Sequence, residues 1–261
     1  MKKTFLFIPV AFLLLVSCES FTEEEEVILL PVNVTTTVVQ GSQTKKIIAD
    51  YHYVPETGRL DHITRSDHQT HYFEYDESGR INVVRMVKVD RKLQEEMWFY
   101  YEGTQVEKVL LVERNLDYIF LEPIDSVYSG SIRFEYKGGH IIEESRHEVA
   151  DNKKQEELGW KVEYTYDRQG NIISTYGFDP GTGSGESVTM TYDQNKHPFS
   201  DLQYYFTGES FVNNMLSKSI DEQGIAYNYE LRLNEYGYPE MVYEKLGASN
   251  SRIIRYSYMS P

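Results

Sequence analysis

Trp160-Lys161-Val162-Glu163-Tyr164-Thr165-Tyr166-Asp167-Arg168-Gln169-Gly170-Asn171-Ile172 is the stretch that decides the fold. Trp160, Val162, Tyr164 and Tyr166 fall on one face of an extended chain, and Lys161, Glu163 and Thr165 on the other. That is the period-two alternation of a strand with one buried side. Asp167 opens a turn in which its carboxylate can accept from the backbone two residues on. Gly170 closes it in the left-handed conformation that side chains resist. Ile172 begins a second apolar strand. The unit is a hairpin.

The unit recurs along the chain. Tyr51-His52-Tyr53 precedes Gly58-Arg59-Leu60, and Phe73-Glu74-Tyr75-Asp76-Glu77-Ser78-Gly79-Arg80-Ile81 repeats the pattern closely. Tyr100-Tyr101-Glu102-Gly103 and Phe134-Glu135-Tyr136-Lys137-Gly138-Gly139-His140-Ile141 continue it. Met190-Thr191-Tyr192-Asp193 and Leu233-Asn234-Glu235-Tyr236-Gly237-Tyr238-Pro239 are degenerate copies. After the turn, Leu60-x-x-Ile63 and Ile81-x-x-Val84 break strict alternation, which predicts a β-bulge in the returning strand. The glycines recur too unevenly for a rigid solenoid. The expectation is therefore an all-β fold, a long antiparallel meander of unequal hairpins curling into a rolled sheet or open barrel, as a single domain over 27–261. Gly79 and Gly170 are expected to be structural, each at positive φ. Leu121-Glu122-Pro123-Ile124-Asp125-Ser126-Val127 reads as a loop, Asp179 to Gly185 as a mobile hairpin tip, and Glu209 to Leu216 as the best helix candidate.

Tyrosine outnumbers the other aromatics, at 22 Tyr against 12 Phe and 2 Trp. This suits half-buried strands in which the ring packs and the hydroxyl stays hydrated. At the N-terminus, Lys2 and Lys3 precede a short apolar run that ends in Leu15-Val16-Ser17-Cys18, the pattern of a secretory signal. Removing residues 1–17 takes the formal charge from −15 to −17, because Lys2 and Lys3 leave with the leader. So acidic a chain repels phosphate backbones and anionic lipid, which argues against nucleic acid as a partner and against a basic membrane-binding face. With Cys18 the single cysteine, intrachain disulfides and multi-thiolate metal sites are excluded. Residues 18–26, mostly acidic beyond Cys18, read as a solvated tether.

Leu15-Val16-Ser17-Cys18 resembles a bacterial lipobox, which implies lipidation of Cys18 and a membrane partner reached through that anchor. The acidic run behind it resembles the surface-export signal of Bacteroidetes lipoproteins. The Tyr-x-Tyr-Asp-x-x-Gly-[Arg/Asn]-Ile units resemble the YD repeats of Rhs-type proteins. Tyr192-Asp193, Lys196-His197-Pro198-Phe199, Asn213-Asn214-Met215 and Tyr236-Gly237-Tyr238-Pro239 follow in that order. With the lipobox, they resemble the DUF4595-type lipoproteins of Bacteroidetes. The resemblance implies a β-rich lipoprotein on the outer membrane, lipid-anchored and facing outward, with no assigned activity. The long arrays and toxin tail of true Rhs proteins are missing.

Linear motifs for chemistry are scarce. Gly181-Thr182-Gly183-Ser184-Gly185 lacks the Gly-Lys-Ser/Thr ending of a phosphate loop, and its Ser184 is not centred as in a nucleophile elbow. His62, Asp67, His68 and His71 form the densest histidine group, but His-x-x-His needs a helix or a turn to converge on a metal, and exposed hairpin residues explain it as well. Acidic residues are spread too widely for one glycosidase pair to be singled out. Met97-Trp98-Phe99-Tyr100-Tyr101-Glu102 sets aromatics beside acids, which serves sugar stacking or ordinary sheet packing. Asp125-Ser126-Val127 resembles a short O-glycosylation acceptor. The sequence assigns no catalytic residue, cofactor or metal. It leads to a non-catalytic envelope lipoprotein that binds a glycan or protein partner through an aromatic-rich sheet, with a glycan-processing hydrolase as the alternative.

Overall fold

The computed structural model describes residues 28–116, 127–149, 156–199, 212–245 and 250–260. Cys18, the leader, the tether, the Asp125-Ser126 acceptor and most of the 121–127 loop lie outside them. The strands are β1 (Leu30–Gln40), β2 (Gln43–Tyr53), β3 (Leu60–Arg65), β4 (Gln69–Tyr75), β5 (Ile81–Lys88), β6 (Leu93–Glu102), β7 (Gln105–Asn115) and β8 (Val127–Lys137). They continue as β9 (His140–Val149), β10 (Glu156–Tyr166), β11 (Ile172–Asp179), β12 (Ser184–Lys196), β13 (Asn213–Ile220), β14 (Ile225–Leu233), β15 (Pro239–Lys245) and β16 (Asn250–Met259). Each pairs antiparallel with its neighbours in sequence, and β1 pairs with β16 from Leu30↔Met259 to Gln40↔Asn250. The expected meander is present. It closes fully, where a rolled sheet or open barrel was expected, because β1 and β16 meet over their whole length.

One end of the barrel is built from the repeated turns. Asp76 N donates to Arg80 O at 2.8 Å and Gly79 N to Asp76 O at 2.9 Å; Asp167 Oδ1 accepts from Gln169 N at 2.8 Å and Asn171 N at 2.9 Å. Gly79 and Gly170 sit at φ 84° and 94°, as the repeat requires. The bulges also fall where the spacing places them. Tyr53 pairs with Leu60 and His52 with His62, leaving Asp61 as the extra residue; Asn82 is extra in the same way between Ile81 and Val83. This turns Leu60 and Ile63 onto one side, where both are almost completely buried. The same displacement recurs at Glu107, Ile142, Ile173 and Glu240.

Alternate side chains line the lumen. Ala49, Leu60, Ile63, Phe73, Val84, Phe99, Val109 and Phe134 form one apolar cluster on the β2–β8 wall, and Ile172, Val188 and Met190 a second on β11–β12. Along β14 the outward positions are polar, with Asn228, Glu230 and Arg232 alternating with inward Tyr227, Tyr229 and Leu231. One expectation fails. The stretch from Asn213 is strand β13, not helix; a bulge at Leu216 lets Met215 and Lys218 share a face, which mimics a helical spacing. The Asp179–Gly185 segment is the expected hairpin tip between β11 and β12, in which Asp179 Oδ1 accepts from Gly181 N at 2.8 Å and Gly183 N donates to Asp179 O at 2.8 Å.

Candidate ligand site in the barrel lumen

The tyrosines that end the even strands do not keep their hydroxyls in water. Tyr53, Tyr75, Tyr101, Tyr136, Tyr166, Tyr192 and Tyr258 each donate to a backbone carbonyl, of Pro31, Leu60, Ile81, Val106, Ile141, Ile172 and Pro239, at 2.6–2.9 Å. Every accepting residue stands immediately before a bulge, where the strand ladder is interrupted and a carbonyl needs a partner. Burial pushes Tyr101 and Tyr166 up to about 12. Repetition, hydrogen bonding and burial together make this ladder architecture, so these seven tyrosines are unavailable to a ligand.

The ladder end is also filled from within. Phe199, carried in from the end of β12, stacks on Tyr51 at 5.3 Å and meets Tyr256 at 6.0 Å, so it reaches across the lumen to β2 and β16. A polar clamp fixes that crossing. Asn214 N and Asn195 N donate to Asp193 Oδ1 at 3.0 and 2.9 Å, and Asn171 Nδ2 donates to Asn213 Oδ1 at 2.9 Å. His197 N donates to Val212 O at 2.9 Å, and burial lowers the His197 ring to about 4. The landmarks singled out by their order in sequence thus gather at one place.

The opposite end holds the candidate site. A cavity of about 570 Å³ opens where β13 turns into β14 and β15 approaches β16, lined by Lys218, Tyr227, Tyr229, Glu244 and Arg252 over a floor of Ile220 and Ile225. Strand register assembles it: Lys218 faces Tyr227, Tyr229 faces Glu244, and Glu244 faces Arg252. Glu244 is only 4% exposed. Arg252 Nη1 lies 3.2 Å from Glu244 Oε2. Tyr229 is raised by burial first and then by the charge of Glu244, to which it is hydrogen-bonded. Sequence reasoning missed this group, because its members come from four strands and none stands in a local motif.

The residues weighed from sequence do not converge on chemistry. His62 lies outside, stacked on His52 at 4.1 Å and bonded through Nδ1 to Asp61 at 2.7 Å. His68 occupies a turn, and Asp67 is held by Arg65 at 2.7 Å. His71 points into the lumen, where burial and then the Arg65 charge lower it to about 4. Among the described residues no group of three potential ligands could hold a metal ion. Phe99 packs in the core, while Trp98 Nε1 donates to Glu96 at 2.9 Å, and Glu96 is claimed in turn by Arg114 at 3.0 Å. Two buried lumen carboxylates, Glu144 and Glu244, lie on β9 and β15, each with its own partner: Tyr164 donates to Glu144 at 3.0 Å, and Arg252 faces Glu244.

No family model matches the chain, and no curated protein matches it. Among solved structures it is similar to a porin-like protein from Bacteroides uniformis, at 10% identity and TM-score 0.45, over 88% of this chain and 96% of that one. A protein of unknown function from Bacteroides fragilis matches at 14% identity and TM-score 0.29, over 52% and 86%. A β-barrel-like protein of the domain of unknown function DUF1849 from Brucella abortus matches at 8% identity and TM-score 0.31, over 90% and 99%.

Proposed function

We propose that this chain is a non-catalytic lipoprotein of the cell envelope, anchored through Cys18 to the outer membrane and facing outward, that binds a glycan in the open end of its barrel. The observation that carries the reading is the distribution of polarity. A membrane-spanning barrel needs an apolar band facing lipid. Here ion pairs are spread over the outer face among scattered exposed tyrosines and aliphatic side chains, with Arg85 on Glu74, Lys161 Nζ 2.6 Å from Glu143, and Arg232 Nε 3.1 Å from Glu240. Such a surface belongs in water, so a membrane attachment comes from the anchor. Strand β1 begins at the filled ladder end and the cavity lies at the other end, an arrangement that suits attachment through Cys18.

Binding rather than hydrolysis is supported by the carboxylates. A glycosidase acid needs a raised titration. Asp67, Asp76, Glu96, Asp167 and Asp179 are each displaced downward instead. The experiment is a glycan array probed with the protein, paired with fractionation of Cys18→Ala. The reading expects capture of a glycan that stays intact, and a Cys18→Ala protein that is either released into the soluble fraction or held as the uncleaved precursor. Shortening of a captured glycan, or a Cys18→Ala protein that is processed yet remains in membranes, overturns it.

A further inference from the structure

We infer that the cavity between β13 and β16 is a site for an acidic sugar, a uronic-acid unit of a polysaccharide. The inference rests on the binding reading above and names the ligand class for the same site. The first argument is charge. In a chain of formal charge −15, this cavity sets two cations, Lys218 and Arg252, against the single carboxylate of Glu244. Arg252 is committed to Glu244 at 3.2 Å. Lys218 makes no ion pair among the described residues, and its cross-strand neighbours Met190 and Tyr227 carry no charge that would balance it. An ammonium on a partly enclosed wall is best met by an anion brought by the ligand.

The second argument is that Glu244 is under-satisfied as an acceptor. Glu244 Oε2 is buried and meets the Arg252 guanidinium at 3.2 Å without an aligned hydrogen bond among the described residues, which leaves room for a donor. Buried polar atoms are nearly always bonded, so an acceptor facing a cavity of this size calls for a ligand donor. A sugar hydroxyl supplies one. The third argument is the aromatic wall. Tyr227 and Tyr229 lie two apart on β14 and present ring surface to the cavity, and rings of this kind pack against the C–H faces of pyranoses. A uronate matches all three features, with its carboxylate on Lys218, a hydroxyl to Glu244 and its ring against the tyrosines. A neutral sugar would leave the ammonium desolvated and unpaired.

The test is calorimetric titration of the full-length protein with uronic-acid oligomers (galacturonate, glucuronate and mannuronate) and with the same oligomers methyl-esterified. Esterification removes the charge and keeps the rings. At least one acid oligomer is expected to bind about tenfold or more tighter than its ester, and to weaken as salt rises. Lys218→Met is expected to lose that preference while retaining the wild-type melting temperature, since Lys218 has no ion pair to lose. Equal binding of acid and ester, or an undiminished preference in Lys218→Met, overturns the inference. So does capture of neutral or sulfated glycans with no uronate binding, an outcome that leaves the binding reading standing. Cleavage of an oligomer would instead overturn that reading.

Discussion

Tyr75 gives its hydroxyl to Leu60 O at 2.7 Å, and six further tyrosines do the same around the barrel end. Removing such a donor leaves a buried carbonyl without a partner, so Tyr75→Phe is expected to cost about 1–2 kcal/mol in a denaturant titration. Tyr72→Phe, on an exposed ring of the same strand, is expected to change nothing measurable. Gly170 sits at φ 94°, and Gly170→Val should cost on the order of 1–2 kcal/mol through backbone strain, with ligand binding lost only in step with folding. A variant that melted normally but no longer bound would make the repeat a functional motif. At this scale the ring faces and turn glycines were legible from spacing alone. The hydroxyl partners were not, because Leu60 and Tyr75 belong to strands whose contact depends on the bulge between them.

The bulged strand is where local sequence spoke most clearly. Leu60-x-x-Ile63 and Ile81-x-x-Val84 need an extra residue to keep both apolar side chains inward, and the register supplies it at Asp61 and Asn82. The same device misled at β13, where the bulge at Leu216 brings residues three apart onto one face, as a helix would. The clamp beside it was visible only as short landmarks in a fixed order, since its bonds join residues far apart in sequence, such as Asp193 and Asn214. Asp193→Ala should strip acceptors from Asn195 N and Asn214 N and release the crossing that holds Phe199. The expected loss is on the order of 2 kcal/mol, read by urea unfolding. Asp193→Asn keeps an oxygen for those donors and should cost less. Equal stability of Asp193→Ala and wild type would remove the clamp from the account.

For the whole molecule, burial of titratable rings fixes the pH range of stability. Unfolded tyrosines ionise near 10, whereas Tyr101, Tyr166 and Tyr256 are pushed up to about 12. Their contribution is complete below pH 10 and is lost as pH rises towards and through 12. The part of the tyrosinate absorbance that belongs to these buried rings should therefore rise together with loss of the β circular-dichroism signal, not ahead of it. His71 and His197 are lowered to about 4 from 6.5, so unfolding takes up protons and stability falls as pH drops from 6.5 through 4. A melting temperature that stayed flat over that interval would mean neither ring is buried neutral. The barrel's closure and its cavity were the least legible features, because β1 meets β16 across almost the entire chain and the cavity draws on four strands. No window of sequence contains either. The central claim is that this closed barrel lives in water with its polar face outward. It is tested most directly by sedimentation and circular dichroism of the Cys18→Ala protein in detergent-free buffer. The account predicts a soluble, non-aggregated, β-rich particle with a cooperative melt; a protein that aggregates without detergent and acquires its β structure only in lipid would contradict it.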